Sequence, residues 1–307
     1  MIIVNYHKVL AHRPSAFNML VRQEWTLQKD FERQMADVSE RYQVVALSEI
    51  TNAIREGRSL PDACAITFDD GYAGVYEYAL PVLERLGLPA TLFVVTGYVS
   101  EQRRPGPDRF DRLEALAQLT AERSIDLADC GFGVVSLACD ACKVAFVKKY
   151  KRHTNSISPA AHGAIDQRIN ERLGVAEERV AEYLSHEAYR MMDWGQITGL
   201  ASRGFAVGSH TRTHASLSAL DEPALLDEIG GSFEELATRL GDRDLPFAYP
   251  YGKLLHMSPA AVAAVQEAGY SCGLTTIKGP NAADTDLFEL RRVAYKYVKR
   301  SAARERS

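Results

Sequence analysis

No apolar run in this chain of 307 residues approaches the roughly 20 that a membrane-spanning helix needs, and no polybasic stretch is present to meet a lipid surface. A spanning segment is therefore not expected. Nucleic acid is not an expected partner either, because 36 basic against 40 acidic side chains leave a net charge of −4. Cysteine is scarce, and five in a chain of this length do not read as a disulfide framework. The amino terminus, Met1-Ile2-Ile3-Val4-Asn5-Tyr6-His7-Lys8, lacks the charged segment and long apolar core of a secretory leader. The expected location is the cytoplasm, which also argues against disulfides. No internal repeat or low-complexity tract is visible. What remains is an ordinary soluble composition, 46% hydrophobic and 25% charged, with chain enough for one large core or two smaller ones.

The chain reads as strands and helices in alternation, which implies parallel strands with helices packed outside. Ile2 to Tyr6 is a first strand ending at His7, and Gln28 to Tyr42 has helical spacing with Phe31, Met35 and Val38 on one face. Val44 to Ala46 is a short strand, and Ser48 is placed to cap a helix that Gly57 stops. Strands Ala63 to Phe68 and Ala90 to Val95 flank a helix from Gly74 to Leu86. Between about Glu101 and Met191 the alternation breaks into mainly helical segments: Arg109 to Arg123, Ala141 to Lys151, Ser158 to Leu173 and Ala176 to Ser185. It resumes with helix Trp194 to Arg203, strand Phe205 to Ser209 and a long helix from Pro223 to Leu240. Strand Phe247 to Tyr249, helix Pro259 to Ala268 and strands Ser271 to Leu274 and Phe288 to Val293 complete the pattern. The tail, Lys299 to Ser307, is charged and expected to fray. Roughly seven or eight strand–helix units suit a closed or nearly closed α/β barrel. The expected division is a barrel from 1–100 and 190–307, with 101–189 inserted in one of its loops.

Three stretches carry chemistry. Thr67-Phe68-Asp69-Asp70-Gly71-Tyr72 puts two carboxylates directly after a buried strand, where α/β enzymes place reactive groups, although Asp and Gly are also common in turns and caps. Ser209-His210-Thr211-Arg212-Thr213-His214 follows another apolar strand. Its two histidines, four apart, point the same way on a helical turn, so both can bind one cation. A carboxylate added to them makes three ligands with an open position, the layout of a catalytic zinc site. Phe247-Ala248-Tyr249-Pro250-Tyr251-Gly252-Lys253 reads as a rigid turn that aims a backbone N–H at a developing oxyanion, with tyrosine rings as a groove wall.

Together, in this order, the three stretches resemble the motifs of the polysaccharide deacetylases of the NodB-homology group, carbohydrate esterase family 4. Supporting matches are Tyr6-His7-Lys8-Val9, Pro81-Val82-Leu83, Ala90-Thr91-Leu92-Phe93 and the Trp194 helix leading to Gly208-Ser209-His210. The resemblance covers about residues 1–100 and 190–295, and implies a distorted (β/α) barrel of about seven strands. It implies that Asp69 is the catalytic base and that Asp70, His210 and His214 hold a divalent ion, zinc foremost. It also implies that Tyr251, with Tyr249 and Pro250 beside it, serves the oxyanion and the substrate. The implied reaction is hydrolysis of an N-acetyl group on an amino sugar of a glycan, a glycan precursor or a glycoside. The ion would acidify a water and polarise the amide carbonyl.

Two positions depart from the family. Many members carry an arginine, two residues before the proline of the third stretch, that orients the base; this chain has Ala248 there, and Arg291 or Arg292 is the candidate replacement. Many members also carry a late histidine as general acid, and no histidine follows His256 here. His7, at the end of the first strand and so on the rim of Asp69, is the candidate acid. These departures leave two other readings open: an amidase or deformylase acting on a non-acetyl amide, and a silent carbohydrate-binding protein. Cys139-Asp140-Ala141-Cys142, with Cys130 and His153 nearby, is a weak candidate for a structural zinc site.

Overall fold

A computed structural model of the chain describes residues 1–13, 25–99, 109–154, 157 and 159–298. The tail from 299 to 307 lies outside them. Twelve strands are named in chain order: β1 (Ile2–Tyr6), β2 (Lys8–Leu10), β3 (Trp25–Leu27), β4 (Gln43–Val44), β5 (Ala63–Phe68), β6 (Thr91–Val94), β7 (Ser124–Leu127), β8 (Gly133–Ser136), β9 (Ala206–Ser209), β10 (Phe247–Ala248), β11 (Gly273–Leu274) and β12 (Val293–Ala294). Eight of them form one parallel sheet in the order β11-β10-β9-β6-β5-β1-β12, with β4 lying beside β5. β4 pairs with Ala63 and Cys64 of β5, and β6 with Thr67 and Phe68, so the two share one edge of that strand. The sheet curls towards closure where Leu290 bridges Leu274 and accepts a hydrogen bond from the Thr275 N–H, three residues before β12 joins β1. The architecture is a distorted (β/α) barrel.

Alternation along the strands sorts the core into two layers. Ile3, Ala65, Phe93, Ala248, Leu274 and Leu290 meet inside the barrel, joined by Leu47, Ile50 and Ile54. Val4, Ile66, Leu92, Val207 and Phe247 face the other way, onto the helices. Helix α1 (Gln28–Arg41) buries Phe31, Met35 and Val38 there, the stripe its spacing predicts. Helix α2 (Leu47–Arg55) takes Ser48 into its first turn. The residue before the helix is Ala46, whose N–H is accepted by the Glu49 carboxylate. Ser48 is therefore not the cap. Helix α3 (Leu80–Leu86) ends at Gly87 in the left-handed region (φ 63°), as the glycine suggests.

The segment from Arg109 to Tyr189 gathers around its own apolar cluster, which includes Phe110, Leu116, Leu127, Phe132, Phe146 and Tyr150. Its helices are α4 (Arg109–Leu119), α5 (Asp140–Thr154), α6 (Pro159–Leu173) and α7 (Glu177–Leu184). α4 stops four residues short of the expected Arg123, and an antiparallel hairpin, β7–β8, stands between it and α5, where no strand was expected. The cause is local: Ser124-Ile125-Asp126-Leu127 alternates polar and apolar residues, and Ile125 and Leu127 are the buried pair. Cys139 and Cys142, considered above as metal ligands, form a disulfide across a Cα separation of 5.2 Å at the start of α5. The expectation of no disulfide is corrected there: three residues apart at a helix start, the two sulfurs are brought together without help from distant chain. The remaining helices are α8 (Trp194–Ser202), α9 (Glu222–Leu226), α10 (Ser232–Leu240) and α11 (Pro259–Glu267). The single helix expected from Pro223 to Leu240 is interrupted by a wide turn over Asp227–Gly231. Among the described residues, no helix is long and apolar enough to cross a membrane.

Candidate metal centre and its surroundings

The carboxyl edge of the sheet brings the first two motifs together. Asp70, His210 and His214 offer ligand atoms that all lie within 4.8 Å of one another. Asp70 Oδ1 stands 3.5 Å from the Nε2 atom of each histidine. Donors about 2.0–2.1 Å from a tetrahedral ion sit roughly 3.3 Å apart, so the two Asp70–histidine separations suit a shared divalent ion. The tautomer of His210 suits it too. Its Nδ1 lies 2.6 Å from the Ala248 carbonyl oxygen, which can only accept, so Nδ1 carries the proton and the Nε2 lone pair faces Asp70.

The backbone is bent to make this possible. Five non-glycine residues among those described adopt positive φ, and four of them, Asp70 (75°), Thr211 (67°), His214 (59°) and Tyr251 (61°), belong to the three motif stretches. Each costs on the order of 1 kcal/mol or more. The histidine spacing is therefore corrected: His210 to His214 is not a helical turn but an irregular loop that aims both rings at Asp70. Its stays come from elsewhere in the fold. Glu228, 6% exposed, accepts the N–H groups of Arg212 and Thr213 on Oε2 at 2.9 Å each, and the Thr213 hydroxyl on Oε1. Thr96 and Gly97 donate to the carbonyls of Thr211 and Arg212, and a Cβ on Gly97 would sit 2.4 Å from the latter oxygen. Ser209 Oγ accepts from the Thr211 N–H and is itself bonded to Ser232 Oγ. Glu228 and Ser232 were not singled out from the sequence, and no local pattern around them carries a signal; Ser209 heads the second motif stretch but was given no role there.

Asp69 has a different environment. It is 1% exposed and clasped by Arg292, with Nη1 to Oδ1 at 2.7 Å and Nη2 to Oδ2 at 2.8 Å. Asn5 Nδ2 donates to Oδ2 at 2.9 Å. Arg292 is equally buried, and its Nε donates to the Thr275 carbonyl at 2.8 Å. Burial pushes the Asp69 carboxyl up, but the charge and hydrogen bonds of Arg292 outweigh it and hold the group well below the usual carboxylate range. Arg292 precedes β12, whose Val293 pairs with Val4, and its guanidinium lies 5.7 Å from the inward-facing Phe93 ring. The cation absent at Ala248 is thus delivered to Asp69 from the other side of the barrel. Arg291 does not reach the site: it is exposed, and its main-chain N–H and carbonyl are held by the Asn281 side chain.

The third stretch divides. Gly252 (φ 57°) closes a tight turn on the Pro250 carbonyl, and a Cβ there would meet the Thr276 nitrogen at 2.4 Å. The Tyr251 ring packs against His214 at 4.8 Å and His256 at 4.9 Å between centroids, and its hydroxyl donates to the His214 carbonyl at 3.3 Å. Phe110 of α4 meets the same ring edge-on, and Lys151 of α5 stands 5.7 Å from it. Pro250 is buried. Tyr249 is not part of a groove wall. Alternation that turns Ala248 inward turns Tyr249 outward with Phe247, and it is fully buried in the helix layer. His7 lies beside Asn5 and Arg292 on the wall of a cleft of about 690 Å³. It therefore shares the rim of Asp69.

Comparison with known proteins accords with this arrangement. Over 97 residues the chain is 31% identical to the poly-beta-1,6-N-acetyl-D-glucosamine N-deacetylase of Escherichia coli (strain K12), a match covering 28% of this chain and 14% of that protein. Among solved structures, the Streptococcus pyogenes deacetylase PplD in complex with acetate superposes with a TM-score of 0.59 at 16% identity, covering 96% of this chain and 91% of that one. IcaB from Ammonifex degensii gives 0.57 at 18% identity, covering 95% and 90%. At such identities the likeness is one of fold. The family model described as polysaccharide deacetylase matches residues 57–129 and 161–273, more than half of the chain and all three motif stretches. The chain belongs to the polysaccharide deacetylase family.

Proposed function

We propose that this protein is a metal-dependent hydrolase that removes N-acetyl groups from an amino-sugar substrate. The observation that carries the reading is the meeting of an Asp–His–His donor set with a neighbouring carboxylate held by a two-pronged arginine. A divalent ion, zinc foremost, would be held by Asp70, His210 and His214, and would supply an acidified water and Lewis acidity. The chain's own groups do the rest. Asp69 has four acceptor sites, and Arg292 and Asn5 occupy three, leaving one on Oδ1 for a proton from water. Arg292 keeps that carboxylate ionised and fixes its plane. His7, on the same rim, would protonate the departing amine. The turn at Tyr251 closes the opposite side, and its backbone N–H is the candidate donor to the oxyanion. The products are acetate and a free amine on the sugar.

The silent, sugar-binding alternative rested on the missing arginine and the missing late histidine; Arg292 removes the first ground, and His7 is the candidate that answers the second. An amidase on a non-acetyl amide would use the same groups and is separated only by substrate. The test is metal analysis of the purified protein together with acetate release from a panel of N-acetylated sugars. Asp69→Asn is expected to lower kcat by about 10²–10⁴, the range for a positioned base. A protein without divalent metal, in which Asp69→Asn changes no hydrolysis, would end this reading.

A further inference from the structure

The cleft beside Asp69 has a one-sided charge. Lys253, Lys278 and Lys296 line it together with Arg292, and among the described residues no carboxylate does. This runs against the composition, since acidic side chains outnumber basic ones in the chain as a whole. Arg292 is neutralised by Asp69, so the lysines set the charge of the wall. Two of them are gathered on one exposed ring: Lys278 Nζ lies 3.8 Å and Lys296 Nζ 5.3 Å from the centre of Tyr297. Lys253 follows the Tyr251–Gly252 turn directly and lines the same cleft. Asp37, the acid bonded to the lining Tyr295, is already paired with Arg41.

Resting on the deacetylase reading of the same site, we infer that the substrate is anionic: the N-acetylated sugar carries, or is joined to, a carboxylate or phosphate that the lysine wall receives. Like charges lining one cleft, with no carboxylate bonded to them among the described residues, raise the local concentration of an anionic ligand and favour it over a neutral one.

The experiment compares one N-acetylhexosamine oligosaccharide in three forms: neutral, bearing a uronic carboxylate, and bearing a phosphate ester. Acetate release should favour at least one anionic form, mainly through KM, by roughly tenfold at low salt, and the preference should shrink in about 0.5 M salt. Lys278→Gln combined with Lys296→Gln should bring the ratio towards one. The two anionic arms distinguish a carboxylate from a phosphate. Equal kinetics on all three forms overturns the inference, as does a preference that the double variant keeps. Acetate from none of them counts against the deacetylase reading instead. Titration calorimetry with the same three saccharides then decides the inference alone: tighter binding of an anionic form sustains it, and equal binding overturns it.

Discussion

Asp69 and Asp70 at the end of β5 and the two histidines after β9 converge on one point, but the fold holds the two sides by different means. On the β5 side the restraint comes from neighbouring strands. Asn5 stands opposite Thr67 on β1, Ala294 on β12 stands opposite Asn5, and Arg292 enters just ahead of β12. Every group that touches Asp69 is thus set by sheet register, and the ladder makes the arrangement stiff. On the β9 side the paired strand stops at Ser209, and the next five residues are held by main-chain bonds to Val94, Thr96 and Gly97 at the end of β6 and by side chains from distant elements, chiefly Glu228 in the wide turn before α10. Asp69 is positioned by the sheet, whereas the histidine loop is held at the end of β6 by the main chain and, from farther off, by the Glu228 carboxylate. Damage to the two sides should therefore look different.

The largest effect is expected on the sheet side. Arg292→Ala leaves a fully buried carboxylate with Asn5 as its remaining side-chain donor. Breaking such a pair costs about 3–5 kcal/mol, so the melting temperature should fall sharply and deacetylation should be almost lost. Arg292→Lys keeps the charge but not the fork, and should recover part of the stability and little of the rate. If Arg292→Ala melts like the unaltered protein, the account of how Asp69 is held is wrong.

A smaller and differently distributed effect is expected at Glu228. Glu228→Ala strands the N–H groups of Arg212 and Thr213 and frees the loop that carries His214. Groups that orient metal ligands without touching the metal are typically worth about 10–100-fold in affinity, and a loss of that size is expected for zinc. Competition against a chromophoric chelator reads it. Arg292→Ala, measured the same way, should change zinc affinity much less. Equal losses in the two variants would erase the distinction between the sides.

How much of this was legible in the residues follows the same division. The Asp pair and the histidine pair announce themselves because each directly follows a buried strand, and the barrel follows from the alternation of strands and helices. The arginine was legible only to within one residue. Arg291 and Arg292 differ in where β12 pairs, and the register Val4–Val293 is a property of two segments far apart in the chain. The histidine spacing named two residues that do meet at Asp70, but through a helical turn that does not exist, since no local preference puts a β-branched Thr211 at positive φ. Tyr249 was misplaced because the turn was read as one unit, although strand alternation still governs it. Glu228 left no trace, because a buried acid in a helical stretch resembles any surface acid until the fold shows what it faces.

Tyr251 links the two sides with the helical segment, and its prediction is the smallest. Its ring contacts His214, His256 and Phe110, while its hydroxyl adds one bond of 3.3 Å to the His214 carbonyl. Tyr251→Phe keeps the ring and removes that bond, which is worth about 1 kcal/mol, so zinc affinity should change by no more than about fivefold. Tyr251→Ala removes the stack as well and should weaken zinc binding further. The pair of variants asks which element steadies the ligand loop. If Tyr251→Phe proves as costly as Glu228→Ala, the hydroxyl at the carbonyl of the ligand itself is the principal stay. The loop would then be held from the side of the helical segment, and Lys151 and Phe110, which touch the same ring, would become the next residues to alter.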